Sequence, residues 1–184
     1  GLRLVSIETI INYNMNSSFA RGRRSESRFL EAMRYKGLHC TKSSTSDDIK
    51  KHIDFYITDD DGVLIASVDV KGENQLNEIW VEMKNVRRDK GWLYGDATVI
   101  AFEMPELGGF VCVLTKHLRD YIEKNVKHEF VTKTNAYKKT YTRHGRQDVI
   151  TLVCIDDLKE IKSYKVVDYS KEYTHPKTNK RIMI

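Results

Sequence analysis

HIDFYITDDDGVLIASVDVKG, residues 52–72, decides the fold, because two β-prone runs flank an acidic turn. Ile53, Phe55 and Ile57 supply one strand and Val63, Ile65, Val68 and Val70 its partner. Between them, Asp59-Asp60-Asp61-Gly62 is turn chemistry, with Asp61-Gly62 the favoured two-residue hairpin pair. A two-residue loop pairs Asp60 with Val63 and sets Asp54 directly opposite Asp69. A four-residue loop leaves the two acids diagonal on one face, and only an odd-length loop separates them. Lys71 shares the face of Asp69, while Val68 and Val70 point the other way, into a core. Opposed strand residues sit roughly 5 Å apart and diagonal ones about 7 Å, so one hard cation can bridge the carboxylates. The same pattern also reads as a solvated hairpin face.

The acid-x-lysine triplet alone says little, since it recurs at Asp48/Lys50, Glu82/Lys84, Asp157/Lys159 and Glu160/Lys162. Its context says more. RGRRSESRFLEAMRYKG, residues 21–37, predicts a helix with an apolar stripe of Phe29, Leu30 and Met33, Ser25 as N-cap and Gly37 as stop. Glu26 then falls in the first turn. The helix dipole stabilises a carboxylate there, and the functional alternative is that Glu26 points toward the acidic face of the sheet.

From Arg21 to Gly72 the chain resembles the PD-(D/E)XK nuclease superfamily, with an order of elements most like the Holliday-junction resolvase branch. The residues that carry the likeness are the basic lead-in, the helix with Glu26, a Ser/Thr-rich loop KSSTSDD, IDFYI with Asp54, and SVDVKG with Asp69 and Lys71. Two positions depart from the family pattern: Ile53 stands where proline is common, and Asp69 where glutamate is more usual. The resemblance implies an α/β fold, a restriction-endonuclease-like core whose central mixed β-sheet is flanked by helices. It implies Mg²⁺ or Mn²⁺ held by Asp54 and Asp69, helped by the backbone carbonyl of Val70 and by Glu26 through water, with Lys71 orienting or deprotonating the attacking water. It further implies a deoxyribonuclease leaving 5′-phosphate and 3′-hydroxyl ends, an endonuclease by preference, and a possible homodimer on branched DNA. Oxygen ligands suit a hard cation, which activates water and offsets phosphate charge, and a lysine adds positive charge beside it.

A rival register uses EIWVEMKN, with Glu82 and Lys84 as the triplet and Asp69 as the first acid. The DDDG turn favours the first register, in which Glu82 lies on the next strand of the meander and serves as a base or outer partner.

The 184 residues suit one nuclease-like domain: an N-terminal extension over 1–20, a catalytic core over 21–126, and a basic segment, final strand and polar tail over 127–184. The net charge of +5 is unevenly spread. Residues 21–51 hold nine basic and four acidic side chains, residues 52–115 five and twelve, and residues 116–147 nine and three. Carboxylates in the middle and cations on both flanks suit metal binding and phosphate recruitment respectively, though solvated basic faces give the same counts. Arg21, Arg23 and Arg24 read as a mobile arm with Arg28 on the helix behind it, placed to clamp a phosphate at the helix N-terminus. Downstream, Tyr137 and Tyr141 alternate with Lys138, Lys139, Arg143 and Arg146, which suits stacking on unpaired bases while cations follow the backbone.

Three separated cysteines and six scattered histidines share no zinc-ligand spacing, and the odd cysteine count fits a reducing cytoplasm, the host's if the chain is phage-encoded. No apolar run reaches the roughly 18 residues of a membrane span, so no membrane role is expected. Signatures of a nucleotide-binding phosphate loop, a nucleophile elbow or a paired-histidine zinc helix are absent, so no nucleotide cofactor is expected. The alternatives to a nuclease are a catalytically silent nucleic-acid-binding module on the same fold, and a structural domain whose basic segments bind a protein.

Overall fold

The computed structural model describes residues 18–72, 77–169, 173–174 and 181–182, with side chains over 24–72 and 77–169. The chain is an α/β protein whose central mixed sheet has six strands. In chain order the elements are α1 (Ser18–Tyr35), β1 (His39–Lys42), α2 (Thr45–Lys51), β2 (Phe55–Thr58), β3 (Leu64–Lys71), β4 (Glu78–Lys84) and β5 (Val99–Met104). Then follow β6 (Gly109–Leu114), α3 (Thr115–Asn125), β7 (Lys127–Phe130), β8 (Lys139–Tyr141), β9 (Val149–Cys154), α4 (Ile155–Leu158) and β10 (Lys165–Asp168). Short strands β11 (Tyr173–Thr174) and β12 (Arg181–Ile182) pair with each other.

The large sheet runs β1-β2-β3-β5-β6-β10, antiparallel except for the parallel β3/β5 pair. Alternation along β2 and β3 sends Phe55, Ile57, Val68 and Val70 beneath α1, where they pack with Phe29, Ala32 and Met33. Phe29 meets Phe110 edge-on at 5.2 Å and Phe55 at 5.6 Å. The second core cluster joins Ile100, Phe102 and Met104 of β5 and Leu118 and Ile122 of α3 to Ile79, Val81 and Met83 of β4.

Strand β4 does not follow β3 in the large sheet. Rather than continuing a meander, it leaves the large sheet and joins a four-stranded one, β4-β9-β8-β7, while β5 takes the place beside β3. Its alternating pattern buries Ile79, Val81 and Met83 equally well in either sheet, so pattern alone does not choose.

The hairpin register is the anticipated one, reached by another route. Phe55 pairs with Val68 and Asp54 N–H donates to Val68 O at 2.8 Å, which puts Asp54 opposite Asp69. The loop closed by Thr58 and Leu64 spans residues 59–63, an odd number, with Gly62 left-handed at φ 79°. A bulge between Ile57 and Thr58 adds the residue that restores parity. Val63 and Ile65, read as ordinary strand positions, lie at this tip and are exposed.

Helix α1 also starts earlier than predicted, at Ser18, so Arg21, Arg23 and Arg24 are helical and form no separate arm. Ser25 is an interior helical residue with no exposure, and Glu26 lies well past the first turn, where the dipole argument does not apply. The stop at Gly37 stands, with φ 80° and Leu38 N–H closing onto Met33 O at 3.1 Å. KSSTSDD is no loop: Ser44 Oγ accepts from Asp47 N–H at 3.1 Å and caps α2. Trp92–Tyr94 forms a 3₁₀ turn between β4 and β5.

Candidate metal centre

The ends of β1 and β3 and the start of β2 meet at one edge of the large sheet, and α1 and α2 bring further side chains there. Ser43 ties the corner together, its N–H donating to Asp54 O at 2.8 Å and its Oγ to Ile53 O at 2.5 Å. Asp54 is buried, and Val70 N–H donates to its Oδ2 at 2.7 Å. Val70 thus acts on the acids through its N–H, which aims the Asp54 carboxylate. Glu26 from α1 and Asp48 from α2 offer oxygens that lie, with one from Asp54, within 4.8 Å of one another. Lys42 Nζ sits among the three, at 3.4 Å from Glu26, 3.6 Å from Asp54 and 3.9 Å from Asp48. It offsets part of their mutual repulsion.

Asp69 stands behind Asp54, with a side chain only 5% exposed. Lys71 Nζ reaches its Oδ1 at 3.1 Å, and Oδ2 is sealed from solvent without a hydrogen-bond donor. Lys71 itself is held over the Trp92 ring, 4.7 Å from the centroid. His52, left-handed at φ 55° where it ends α2, feels the charges of Lys71, Glu82, Asp48 and Asp54.

This crowding shows in the proton affinities. Burial pushes the Asp69 carboxyl up to about 7, with Lys71 opposing and the neighbouring Asp54 adding to the rise. Burial likewise takes Glu26 to about 7, reinforced by its contact with Asp54 and resisted by Lys42. Asp48 moves upward, first by burial and then by the charge of Asp54. Asp54 is held below its usual range: burial, the largest single influence, works upward, but Glu26, Val70 N–H, Lys42 and Lys71 together outweigh it. His52 is lowered, by burial first and Lys71 second, which favours the neutral imidazole.

A pH dependence follows with a definite sign. Asp69 and Glu26 rise from ordinary values of 3.8 and 4.5 to about 7 on folding, so the folded state binds protons more tightly than the unfolded one. Their contribution to stability is fully present below about pH 4 and is lost as pH climbs toward about 7. Measured in EDTA, the Tm of the wild type minus that of Asp69→Asn should fall by roughly 5 °C across this interval. A flat difference would mean that Asp69 carries no such burden.

Of the residues expected at the site, the fold assembles Glu26, Asp54, Asp69, Val70 and Lys71. Glu82 is not among the converging acids: on the second sheet, its Oε1 accepts from Trp92 N–H at 3.3 Å. The rival register through Glu82 and Lys84 loses its geometric basis for the same reason. Asp48, Lys42 and His52 were not foreseen as site residues; Asp48 appeared only as one repeat of the acid-x-lysine pattern. The capping sequence SSTSDD was its available signal, because a helix capped at Ser44 projects its first-turn acids.

The expected nucleic-acid contacts divide more sharply. Arg28 is not a phosphate clamp: its Nε donates to Glu103 Oε2 at 2.7 Å and its Nη2 to Oε1, beneath α1, where Glu103 has no exposure and also accepts from Ser25 Oγ at 3.1 Å. Arg24 is half-buried, and the side chains of Arg21 and Arg23 lie outside the described residues. Lys138 pairs with Asp157 at 3.3 Å, and Lys139 with Glu129 at 3.5 Å. Tyr141 packs on Trp80, Arg143 pairs with buried Asp148, and Arg146 is exposed in the following turn.

No protein-family model, curated protein or solved structure matches the chain. Among the described residues, no helix is long and apolar enough to cross a membrane.

Proposed function

We propose that the chain is a Mg²⁺- or Mn²⁺-dependent deoxyribonuclease on a restriction-endonuclease-like core, cutting internally to leave 5′-phosphate and 3′-hydroxyl ends. The observation that carries this reading is the buried Asp69 carboxylate, whose Oδ2 has no donor and whose neighbour is another carboxylate. An unsatisfied buried carboxylate oxygen is costly, and Lys42 serves only the outer three acids. A hard divalent cation satisfies all-carboxylate donors of this kind.

Glu26, Asp48 and Asp54, whose oxygens lie within 4.8 Å of one another, are the residues that would hold the ion, and Asp69, behind Asp54, would complete the set. Bound there, it would polarise a phosphoryl oxygen and acidify a water molecule. Lys71 is fixed from two sides, by Asp69 Oδ1 and by the Trp92 ring, so its ammonium stays aimed at the place where negative charge develops on the phosphate. His52, shifted toward its neutral form by burial and by Lys71 and within the field of Asp48 and Asp54, could take a proton from the attacking water. Val70 N–H and the Ser43 contacts keep Asp54 from turning away.

The position of Lys42 favours the second reading, a silent DNA-binding module in which a lysine stands where a cation would. Incubation of the protein with linear, single-stranded and branched DNA under Mg²⁺, Mn²⁺ or EDTA separates the two. Metal-dependent cuts are expected. Cleavage indifferent to EDTA would sink the proposed centre, and DNA binding without cleavage under either metal would favour the silent module.

A further inference from the structure

A cavity of ≈ 280 Å³ opens on the outer face of the second sheet, lined by Trp80, Glu82, Trp92, Tyr141, Arg143 and Ile150. Strand alternation builds it. With Ile79, Val81 and Met83 turned to the core, Trp80 and Glu82 must face outward; the ladder then sets Ile150 beside Glu82 and Tyr141 beside Ile150. The Trp80 and Tyr141 rings lie 6.0 Å apart and tilted by 49°. Arg143 is braced at the rim by buried Asp148, which accepts from its Nε at 2.5 Å and its backbone N–H at 3.0 Å. Trp92 belongs to both sites, since it lines the cavity and also carries Lys71 Nζ 4.7 Å from its ring centroid.

We infer that this cavity receives one unpaired base of the DNA strand whose adjoining phosphate lies at Lys71, which makes unpaired or locally opened DNA the preferred substrate. The inference rests on the nuclease reading for its substrate. Aromatic side chains stack on any exposed base face, the Arg143 guanidinium, held through its Nε by Asp148, adds a flat cationic surface at the rim, and the Glu82 carboxylate can accept from a base N–H. A base within a duplex has both faces stacked and cannot enter without being turned out of the helix. Shared use of Trp92 joins the base pocket to the acids, so strand and metal would be gripped within neighbouring nucleotides.

The chain's only two tryptophans both line the cavity, so intrinsic fluorescence reports its occupancy directly. In EDTA, oligo(dT) should quench wild-type emission saturably, and an abasic strand or a duplex of equal length should bind about tenfold more weakly or worse. Tyr141→Ala, which keeps both reporters, should weaken oligo(dT) binding about tenfold, and Tyr141→Phe should restore it. Equal quenching by the abasic strand, by the duplex or by thymidine monophosphate at matched concentration would overturn the inference, as would unchanged affinity in Tyr141→Ala. The abasic comparison needs no variant, so it holds even if Tyr141→Ala fails to fold. The two readings also fail separately. Base-dependent quenching in a protein that never cleaves removes the nuclease reading alone, whereas metal-dependent cleavage without base-dependent quenching removes the pocket alone.

Discussion

Asp69→Asn should lower metal-dependent DNA cleavage by about 10³-fold or more while leaving DNA binding in EDTA intact. The substitution preserves the shape of a buried side chain but removes the charge of a carboxylate whose buried Oδ2 has no donor. It also releases Lys71, held at 3.1 Å by Asp69 Oδ1, from its counter-ion. Lys71→Ala should cost about 10²-fold, the scale of a single preorganised electrostatic contact. Asp48→Asn should cost less than either, because Asp48 is 46% exposed and water can replace it. Glu82→Gln should leave the bond-breaking step near wild-type speed, since its carboxylate serves Trp92 and the neighbouring cavity. Single-turnover cleavage under saturating Mg²⁺ or Mn²⁺ gives all four values. Near wild-type cleavage by Asp69→Asn would remove the centre as drawn.

Arg28→Ala should destabilise the fold by about 3–5 kcal/mol, because it leaves a buried carboxylate without its counter-charge. Glu103 is fully buried on β5 beneath α1, and Arg28 engages both of its oxygens, with Ser25 Oγ as a third partner. For a chain of this size the loss corresponds to a drop in Tm of roughly 10 °C. Replacing both partners together, Arg28→Met with Glu103→Leu, should recover most of it, since neither charge is then stranded. Thermal melts of the two variants decide the matter. If Arg28→Ala melts like the wild type and only binds DNA less well, Arg28 is a surface contact after all.

Arg28 shows where sequence reading reaches its limit. In the linear chain it follows three other basic residues and invites a phosphate; its partner Glu103 is a single acid inside an apolar strand, far along the chain, and no local pattern joins them. Lys138 and Arg143 behave alike, since Asp157 and Asp148 come to them only when β8 and β9 pair. Basic segments can be counted from sequence, but which cations remain for an outside partner depends on the acids that folding delivers. Glu82 was misplaced for a related reason. Strand alternation says which side chains share a face and nothing about which sheet receives the strand.

Local physics carried the rest. Alternation with period two, a turn rich in aspartate with glycine at the left-handed position, and β-branched residues on the opposite face specified the hairpin, and with the bulge between Ile57 and Thr58 offsetting its odd loop they set Asp54, Asp69 and Lys71 on one face. The sequence by itself therefore determined the acidic hairpin, the amphipathic helix before it and the α/β character of the chain, because each depends on contacts within a few residues. Only the tertiary structure decided that a bulge would repair an odd loop, that Asp48 and Glu26 would join Asp54, and that Trp92 would link the acids to an aromatic cavity. Those outcomes depend on how helices and sheets dock, and docking is set by the summed packing of distant apolar faces.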